Sequence, residues 1–471
     1  MRKYTCRAAA IMAGLSLLLA GPAWAAPSHY ETLAGIPFPD GYPGEADITR
    51  LEDEIFFQRA VQSYIWAIRV INILGMKEGM SNIFGEGYNL MIIWKDRLNA
   101  KTLITTPNSD VIYGLAFLDL KKDGPLVVEV PPGVQGIFDD FFQRPICSDG
   151  QISGKTWCGD VGLPGPDQGK GGKYLLLPPD YKDKVPAGYL PYRSKTYGVM
   201  VLWRGFFKDP KELKEPVENM ERTLIYPLGK KESAAAMKFP NASQTPADML
   251  YPKDGRAFDL LAGFIDREYV DPVDMEMRGM LAAVGIIKGQ AFKPGQKQRE
   301  MNVFPGNADF TADTFNFIDP RTGFFTNAFT ASPGMALSME KVGAKYPTTF
   351  VDADGKFLNG SNSYKVNLPR DIPAALFWSL TIYDSANASQ VDNGQPFPSI
   401  NSMDKPQANQ DGSVDVYFGP DSPGEGNNWI KTLPDKGYFV ILRLYGPTKT
   451  FFDKTWKPSD LERRWTLIQE V

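Results

Sequence analysis

VIYGLAFLDLKKDGPLVVEVPP (Val111 to Pro132) decides the class of fold open to this chain. Val111 to Leu120 and Pro125 to Pro132 are short runs rich in β-branched and aromatic residues, the composition that packs well on a pleated surface. Between them Lys121-Lys122-Asp123-Gly124 supplies turn chemistry, so the stretch predicts a strand, a hairpin turn and a second strand. GIFDDFFQ (Gly136 to Gln143), GKYLLLPP (Gly172 to Pro179) and TYGVMVLWRGFF (Thr196 to Phe207) continue the pattern. No helical period separates these runs, and parallel α/β units would require one. A second β-rich region follows from about 340 to 450. There KYPTTFVDADGKFLNG predicts a hairpin at Asp354-Gly355, and NSYKVNLP, FWSLTIYD, GSVDVYFG and YFVILRLYG alternate apolar and polar residues.

Helical signals lie outside these two regions. LEDEIFFQRAVQSYIWAIRVINILGMKEGM (Leu51 to Met80) carries Ile55, Phe56, Val61, Ile65, Ile68 and Ile71 at helical spacing, with early acids and an end expected at Gly75. Asp209-Pro210 and Asp271-Pro272 pair a capping residue with proline at the first helical position. Pro216 is expected to interrupt the first of these helices. DGRAFDLLAGFIDREY (Asp254 to Tyr269) is a further helix, and Phe310 to Ala336 mixes helix and loop signals. The expected architecture is mainly β with α segments: two antiparallel β-sandwich or jelly-roll domains joined by a helical segment. The expected boundaries are a signal peptide at 1–25, an extended lead-in at 26–50, and a helix plus β-sandwich domain at 51–207. A helical linking segment at 208–336 and a C-terminal β-sandwich domain at 337–471 complete the chain. Forty-four glycines and 38 prolines suit such a chain of short strands and tight turns.

The N-terminus reads as a targeting segment. Arg2, Lys3 and Arg7 form a positive region, Ala8 to Ala20 an apolar one, and Ala23-Trp24-Ala25 a small-x-small cleavage site. Cleavage after Ala25 leaves 446 of 471 residues and places the mature protein in the periplasm or outside the cell. It also takes three of the 51 basic residues and none of the 55 acidic ones, moving the net charge from −4 to −7. Mild acidity without a basic stripe gives no footing for nucleic acid. No other run is long and apolar enough to span a membrane. Cys147 and Cys158 remain after cleavage, an even pair that is a disulfide candidate in an oxidising compartment; two free buried thiols are the alternative.

The chain has one histidine, His29, close to the cleavage site. A Ser-His-Asp site would need that residue, and histidine-ligated zinc, copper or iron has no ligand set. No cofactor motif is evident. An oxygen-ligated calcium or magnesium is the metal such a chain could hold, and acid–base work would fall to Asp, Glu, Tyr or Lys. In TPNSDVIYG (Thr106 to Gly114), strand alternation puts Asp110, Ile112 and Gly114 on one face and Tyr113 on the other. Asn108 and Asp110 at a strand mouth suit a hard cation or a polyol, while an Asx-turn is the plainer reading. In FDDFFQR (Phe138 to Arg144), one acid among aromatics would have a raised pKa, as a general acid needs. Alternation separates Asp139 from Asp140, and the plainer reading leaves one solvated and pairs the other with Arg144. Asp352-x-Asp354-Gly355 is an incomplete calcium loop and reads first as a hairpin. Trp378, Ser379 and Tyr383 with Asp384, then Trp429, Arg443 and Tyr445, could line a concave sheet for stacking on a ligand, or sit in the core.

The strings TPNSDVIYGLAFLDL, GKGGKYLLLPPDY and SKTYGVMVLWRGF resemble the domain-of-unknown-function family numbered 1254. KYPTTFVDADGKFLNGSNSYKV, IPAALFWSLTIYD, DGSVDVYFGPDSPGEGNNWI and FVILRLYGPTKTFFDKTW resemble the family numbered 1214. The resemblance runs in proper order from about 55 to 460. It implies an exported bacterial protein with two jelly-roll or related β-sandwiches and helices between, and it brings no activity or catalytic residues with it. Two function classes follow. One is a hydrolase or lyase, with or without a cation at Asp110, acting on a small molecule or glycan through Asp110, Tyr113 and Asp139 or Asp140. The other is a non-catalytic binding or envelope interaction protein, with Asn108, Arg144, Trp378, Tyr383, Trp429 and Arg443 as ligand contacts.

Overall fold

The computed structural model describes residues 27–106, 108–209, 211–294, 335 and 338–464. The expected leader, and the 310–336 stretch apart from Met335, lie outside these residues.

The lead-in is not simply extended. Ser28 caps a short helix, His29–Ala34, through a reciprocal bond pair with Glu31, and a 3-10 turn follows at Pro39–Gly41. The helix expected from Leu51 to Gly75 is longer at both ends and runs Glu45–Phe84, with Glu45 and Asp47 in its first turn. Gly75 is buried in mid-helix, and the helix ends instead at Gly85, which has φ 85°. The reason is packing. A Cβ on Gly75 would lie 2.7 Å from the Leu250 carbonyl oxygen, and one on Gly79 would overlap the Asp248 carbonyl. The two glycines form a notch that lets the extended 248–251 backbone lie directly on the helix.

Two stacked sheets form the N-terminal sandwich. The first is ordered Ile92–Ile93, Ile112–Asp119, Gly198–Gly205, Gln135–Asp140, Asp160–Val161. The second is ordered Leu224–Pro227, Leu126–Val130, Gly172–Leu177, Leu190–Arg193, Cys147–Ser148. Between them Phe138 packs edge-on against Tyr174, Tyr192 and Trp203, all fully buried. The outer face of the first sheet carries a second apolar layer, where Leu115, Phe117 and Met200 meet Val70, Ile71 and Ile73 of the long helix. Leu261 and Phe264 of the Arg256–Arg267 helix complete that layer.

Several local expectations change. Lys121 to Gly124 is not a hairpin turn: Leu120–Asp123 is one helical turn capped by Asp119, and the strands it joins lie in opposite sheets. Leu120 is buried, so this turn carries the chain across the sandwich edge. Asp209 accepts from Lys211 N without starting a helix, which begins at Lys214–Met220. Pro216 sits in that helix's first turn, where a missing N–H breaks no bond, so it does not interrupt. Leu224–Pro227 is a strand on Leu126–Val130, so the first sandwich extends past Phe207 into the expected linking segment. The device at Asp271-Pro272 does start a 3-10 turn, Pro272–Asp274, leading into Met275–Ala283.

In the C-terminal sandwich, one sheet is ordered Ala344–Lys345, Tyr438–Pro447, Ala374–Asp384, Ser399–Asn401, with Thr348–Thr349 also on Tyr438–Pro447. The other is ordered Trp429–Lys431, Val414–Gly419, Ser363–Leu368, Glu462–Arg464. Most pairing is antiparallel as expected, but Gly172–Leu177 with Leu190–Arg193, and Val414–Gly419 with Trp429–Lys431, are parallel. The lead-in docks on this sandwich. Asp40 O accepts from Gly437 N at 2.8 Å, Tyr42 Oη donates to Tyr438 O at 2.6 Å, and the Tyr42 ring stacks on Phe357 at 4.3 Å. Among the described residues no helix is long and apolar enough to cross a membrane.

Glycine to alanine inside a helix ordinarily stabilises by about 0.5–1 kcal/mol. Gly79→Ala should do the reverse and cost about 1–3 kcal/mol, because its methyl group meets backbone that cannot swing aside. Urea unfolding of the variant measures this, and a gain in stability would remove the notch.

Candidate functional site

Asp110 lies at an exposed loop. Asn108 Oδ1 accepts from Asp110 N at 2.9 Å, forming the Asx-turn, and Arg97 Nη2 stands 3.7 Å from the Asp110 carboxylate. Tyr113 is half-buried on the outer face of the first sheet, level with Arg204 and Gln135. Asp139 shares that face but sits two strands across from Tyr113 and level with Phe117 and Met200. That offset is about 10 Å across the sheet and about 13 Å along it. Asp110, Tyr113 and Asp139 are therefore not brought to one point.

Asp140 faces the other way and is buried at the strand end. It accepts from Phe142 N at 2.8 Å, Arg144 N at 3.0 Å and Arg144 Nε at 2.6 Å. Arg144 reaches on to Asp274 at 3.3 Å and so ties the β-turn to the helical layer. Burial alone would lower the Arg144 pKa, but Asp140 and then Asp274 more than offset this and leave it raised. Every acceptor of Asp140 near the turn is engaged, which is the chemistry of a structural clamp. Asp139 differs. It is half-buried, no hydrogen bond or ion pair reaches its carboxylate among the described residues, and its pKa is pushed up to about 6 by burial, then by repulsion from Asp140 and Asp160.

Asp352 is buried and accepts from Asp354 N at 3.0 Å and Lys356 N at 2.9 Å, closing the hairpin expected there. Cys147 and Cys158 are joined in a disulfide with Cα atoms 3.9 Å apart. His29 Nε2 lies 2.8 Å from Glu54 Oε2 on the long helix. Among the described residues no three His, Cys, Asp or Glu side chains come together as a metal site.

The C-terminal residues separate sharply. Trp378 is buried on the inner face with Leu380 and Leu444. Trp429, in the other sheet, donates Nε1 to Gly419 O at 3.0 Å. Tyr383 and Arg443 come together on the outer face, where the guanidinium carbon stands 5.2 Å from the Tyr383 ring centroid. A second ring, that of Tyr346, lies 5.7 Å away. Strand register explains the arrangement. Ala344–Lys345 and Thr348–Thr349 pair with Tyr438–Pro447 in one common register, which sets Tyr346 directly opposite Arg443. On the other side Ser379 opposes Arg443, and Asn401 opposes Ser379. The result is a polar row, Tyr346–Arg443–Ser379–Asn401, across four strands. An aromatic pair bounds each side of it: Phe377 stacked on Tyr445 at 4.1 Å, and Tyr383 on Phe439 at 5.4 Å.

Arg443 makes no hydrogen bond or ion pair among the described residues, although it is half-buried. A partly desolvated guanidinium with five idle donors is the group in this sandwich best placed to accept a ligand. Tyr346 and Asn401 were not among the residues singled out from the sequence. Alternation from Thr348 back to Tyr346 would have placed Tyr346 on this face, but pairing it with Arg443 needs the register of two separate segments.

Residues 88–227 match the family described as Protein of unknown function (DUF1254), and residues 343–449 match Protein of unknown function (DUF1214). The first match ends where the Leu224–Pro227 strand ends, in keeping with that strand's place in the N-terminal sandwich. No curated protein matches the chain. A solved structure from Vibrio parahaemolyticus is similar at 17% identity over 87% of this chain and 100% of its own, with a TM-score of 0.34. An uncharacterized protein from Burkholderia cenocepacia is similar at 13% identity over 89% of this chain and 96% of its own, with a TM-score of 0.21.

Asp139 generates a pH prediction. A folded-state pKa above the ordinary carboxylate value means the folded protein holds more protons than the unfolded chain between about pH 4 and 6, so this group's contribution falls as pH rises through that window. Asp139→Asn should therefore stabilise the protein at pH 7.5 by roughly 1–2 kcal/mol, after allowance for partial exposure, and have little effect at pH 4. Denaturant unfolding at the two pH values checks this; equal effects at both would show that the carboxylate charge is not the cause.

Proposed function

We propose that this chain, which carries a DUF1254 domain ahead of a DUF1214 domain, is an exported protein that binds a small organic ligand on the outer face of its C-terminal sandwich. The observation that carries the reading is Arg443, half-buried between Tyr346 and Tyr383 with its donors unspent. Such a row of polar groups walled by rings is the usual composition of a small-molecule site: apolar and aromatic surface for affinity, and a few placed polar groups for orientation. Export rests on Arg2 to Ala25 in the sequence and gains support from the Cys147–Cys158 disulfide, since such bonds persist in oxidising compartments.

A hydrolase or lyase activity is the second reading, and Asp139 favours it. A carboxyl that titrates near 6 is tuned as a general acid at neutral pH. It lies on a different domain from Arg443, so the two readings are separable by single substitutions.

The mature chain, residues 26–471, should gain thermal stability with at least one member of a panel of sugars, organic acids and divalent cations. A ligand at 100 times its Kd stabilises the folded state by about 2.7 kcal/mol. Arg443→Gln should abolish that gain, and a gain that survives the substitution excludes this face as the site. For the second reading, any turnover found in a hydrolase and lyase screen should fall at least about 100-fold in Asp139→Asn and decline above about pH 6 in the parent protein. Unchanged turnover in the variant removes Asp139 from the chemistry.

A further inference from the structure

We infer that the ligand class taken by the C-terminal face is a planar organic monocarboxylate, one whose carboxylate meets the in-plane edge of Arg443 while its body lies against the flanking tyrosine rings. The inference rests on the small-molecule reading above and narrows it.

The charge of the site comes first. The row Tyr346–Arg443–Ser379–Asn401 holds one positive side chain and no acid. The rows on either side add Tyr445 and Phe377 in one direction, and Thr348, Ile441, Thr381 and Ser399 in the other, again without an acid. Asp384, at the end of its strand, is 3.2 Å from Lys436. At the far end of the row, two strands from Arg443, Asp404 accepts from Asn401 Nδ2. Among the described residues no carboxylate pairs with the guanidinium itself, so an anion meets none there, whereas a cation or a neutral polyol would leave it uncompensated.

Geometry narrows the anion. Tyr346 and Tyr383 flank the guanidinium at 5.7 and 5.2 Å, so rings take up the space around its faces. What remains for hydrogen bonding is the planar N–H fork, which matches the two oxygens of a carboxylate. A dianionic phosphate would call for a second cation. The neighbouring Lys345 is buried beside Leu444 and directs Nζ to Met335 O at 3.3 Å, so it does not supply one. Ser379 lies directly across from Arg443 and its hydroxyl forms no bond among the described residues, which gives the ligand one neutral donor.

The floor decides the body. Thr348, Ile441 and Thr381, in the outward row beside Arg443, are buried, so that row offers a ligand no open sheet surface. The surface nearest the guanidinium is ring surface, and Tyr383 and Tyr445 are each half-buried. A flat, unsaturated body covers such rings better than a puckered sugar or a flexible chain.

The test uses the mature chain at pH 7 and constant ionic strength, titrated calorimetrically with benzoate, cinnamate, acetate, benzamide, glucose and inorganic phosphate. Benzoate or cinnamate should bind at least tenfold more tightly than acetate, which lacks the body, and than benzamide, which lacks the charge. Phosphate should be weaker than both aromatic acids. Arg443→Lys keeps the charge without the fork and should weaken binding at least tenfold; Tyr383→Ala should weaken it with the guanidinium intact. Far-UV circular dichroism confirms that both variants fold. Benzamide binding as tightly as benzoate, or phosphate binding best, overturns the carboxylate assignment. If glucose binds in an Arg443-dependent way and the acids do not, the ligand site stands and the monocarboxylate class falls. If no probe binds in an Arg443-dependent way, both this inference and the reading it rests on fall.

Discussion

The contact on which the rest of the structure depends is between the helix Glu45–Phe84 and the extended backbone at 248–251. A helix side chain of any size would hold that backbone away. Gly75 and Gly79 remove the obstacle, and the adjoining Ala247–Asp248 strand then pairs with Thr102–Leu103, fastening the segment after the first sandwich back onto it. At 1.5 Å per residue the helix is about 60 Å long, more than a single sandwich needs. Its buried residues begin at Ser63, so the second half packs on the first sheet while the first half leads back to the lead-in. The lead-in is held against the C-terminal sandwich by Gly437 and Tyr42. One helix thus ties both sandwiches, and the glycine notch fixes where along its length the N-terminal one sits.

Both sandwiches bury apolar side chains on their outer faces, Phe439 and Ile441 in the second as Leu115 and Phe117 in the first, and they differ in what else those faces carry. In the N-terminal one, Leu115, Phe117 and Met200 point outward and are covered by helices, so the sheet is apolar on both faces. Asp139 lies at the margin of that covered face, which is why burial dominates its environment. In the C-terminal sandwich the outward positions of Tyr438–Pro447 alternate Phe439, Ile441, Arg443 and Tyr445 against an inward set of Val440, Leu442 and Leu444. An arginine in the middle of an outward aromatic stripe would weaken a purely structural face, since its donors lose water and gain no acceptor.

Most of the architecture was legible in local pattern. The alternation in YFVILRLYG and FWSLTIYD gave strands with the correct faces, and it separated Asp139 from Asp140 as the structure does. Asp354-Gly355 gave its hairpin. What failed depended on long-range contact. Gly75 looks like a helix terminator because glycine ends helices when nothing else explains it, and the explanation lies 175 residues away at Leu250. The turn at 121–124 carried hairpin residues, yet buried Leu120 draws the chain into the opposite sheet. Tyr383, Arg443 and Trp378 were all visible as candidates; alternation separates Trp378 from Tyr383 within its strand, but bringing Tyr383 to Arg443 needs the pairing of two strands distant in sequence.

Fold does not choose function here, so the discrimination has to come from how each polar group spends its bonds. Asp140 and Arg144 are the more conspicuous pair in the sequence, and each is engaged by the other, with backbone N–H groups on Asp140 and Asp274 on Arg144, although Arg144 Nη2 is buried without an acceptor. Asp140 can bind substrate only by breaking what it already has, and removing one partner of the pair would strand the other as a buried charge. Asp352 is occupied in the same way by its own hairpin. Asp139 and Arg443 are the reverse case, held by packing and ring contacts with their hydrogen-bonding capacity unused. The physical cost of keeping such a group half-desolvated is what marks it. A carboxyl relieves that cost by taking up a proton, which is the direction in which the Asp139 pKa moves. A guanidinium cannot give its proton away near neutral pH, so relief for Arg443 would have to come from an acceptor that the described residues do not supply.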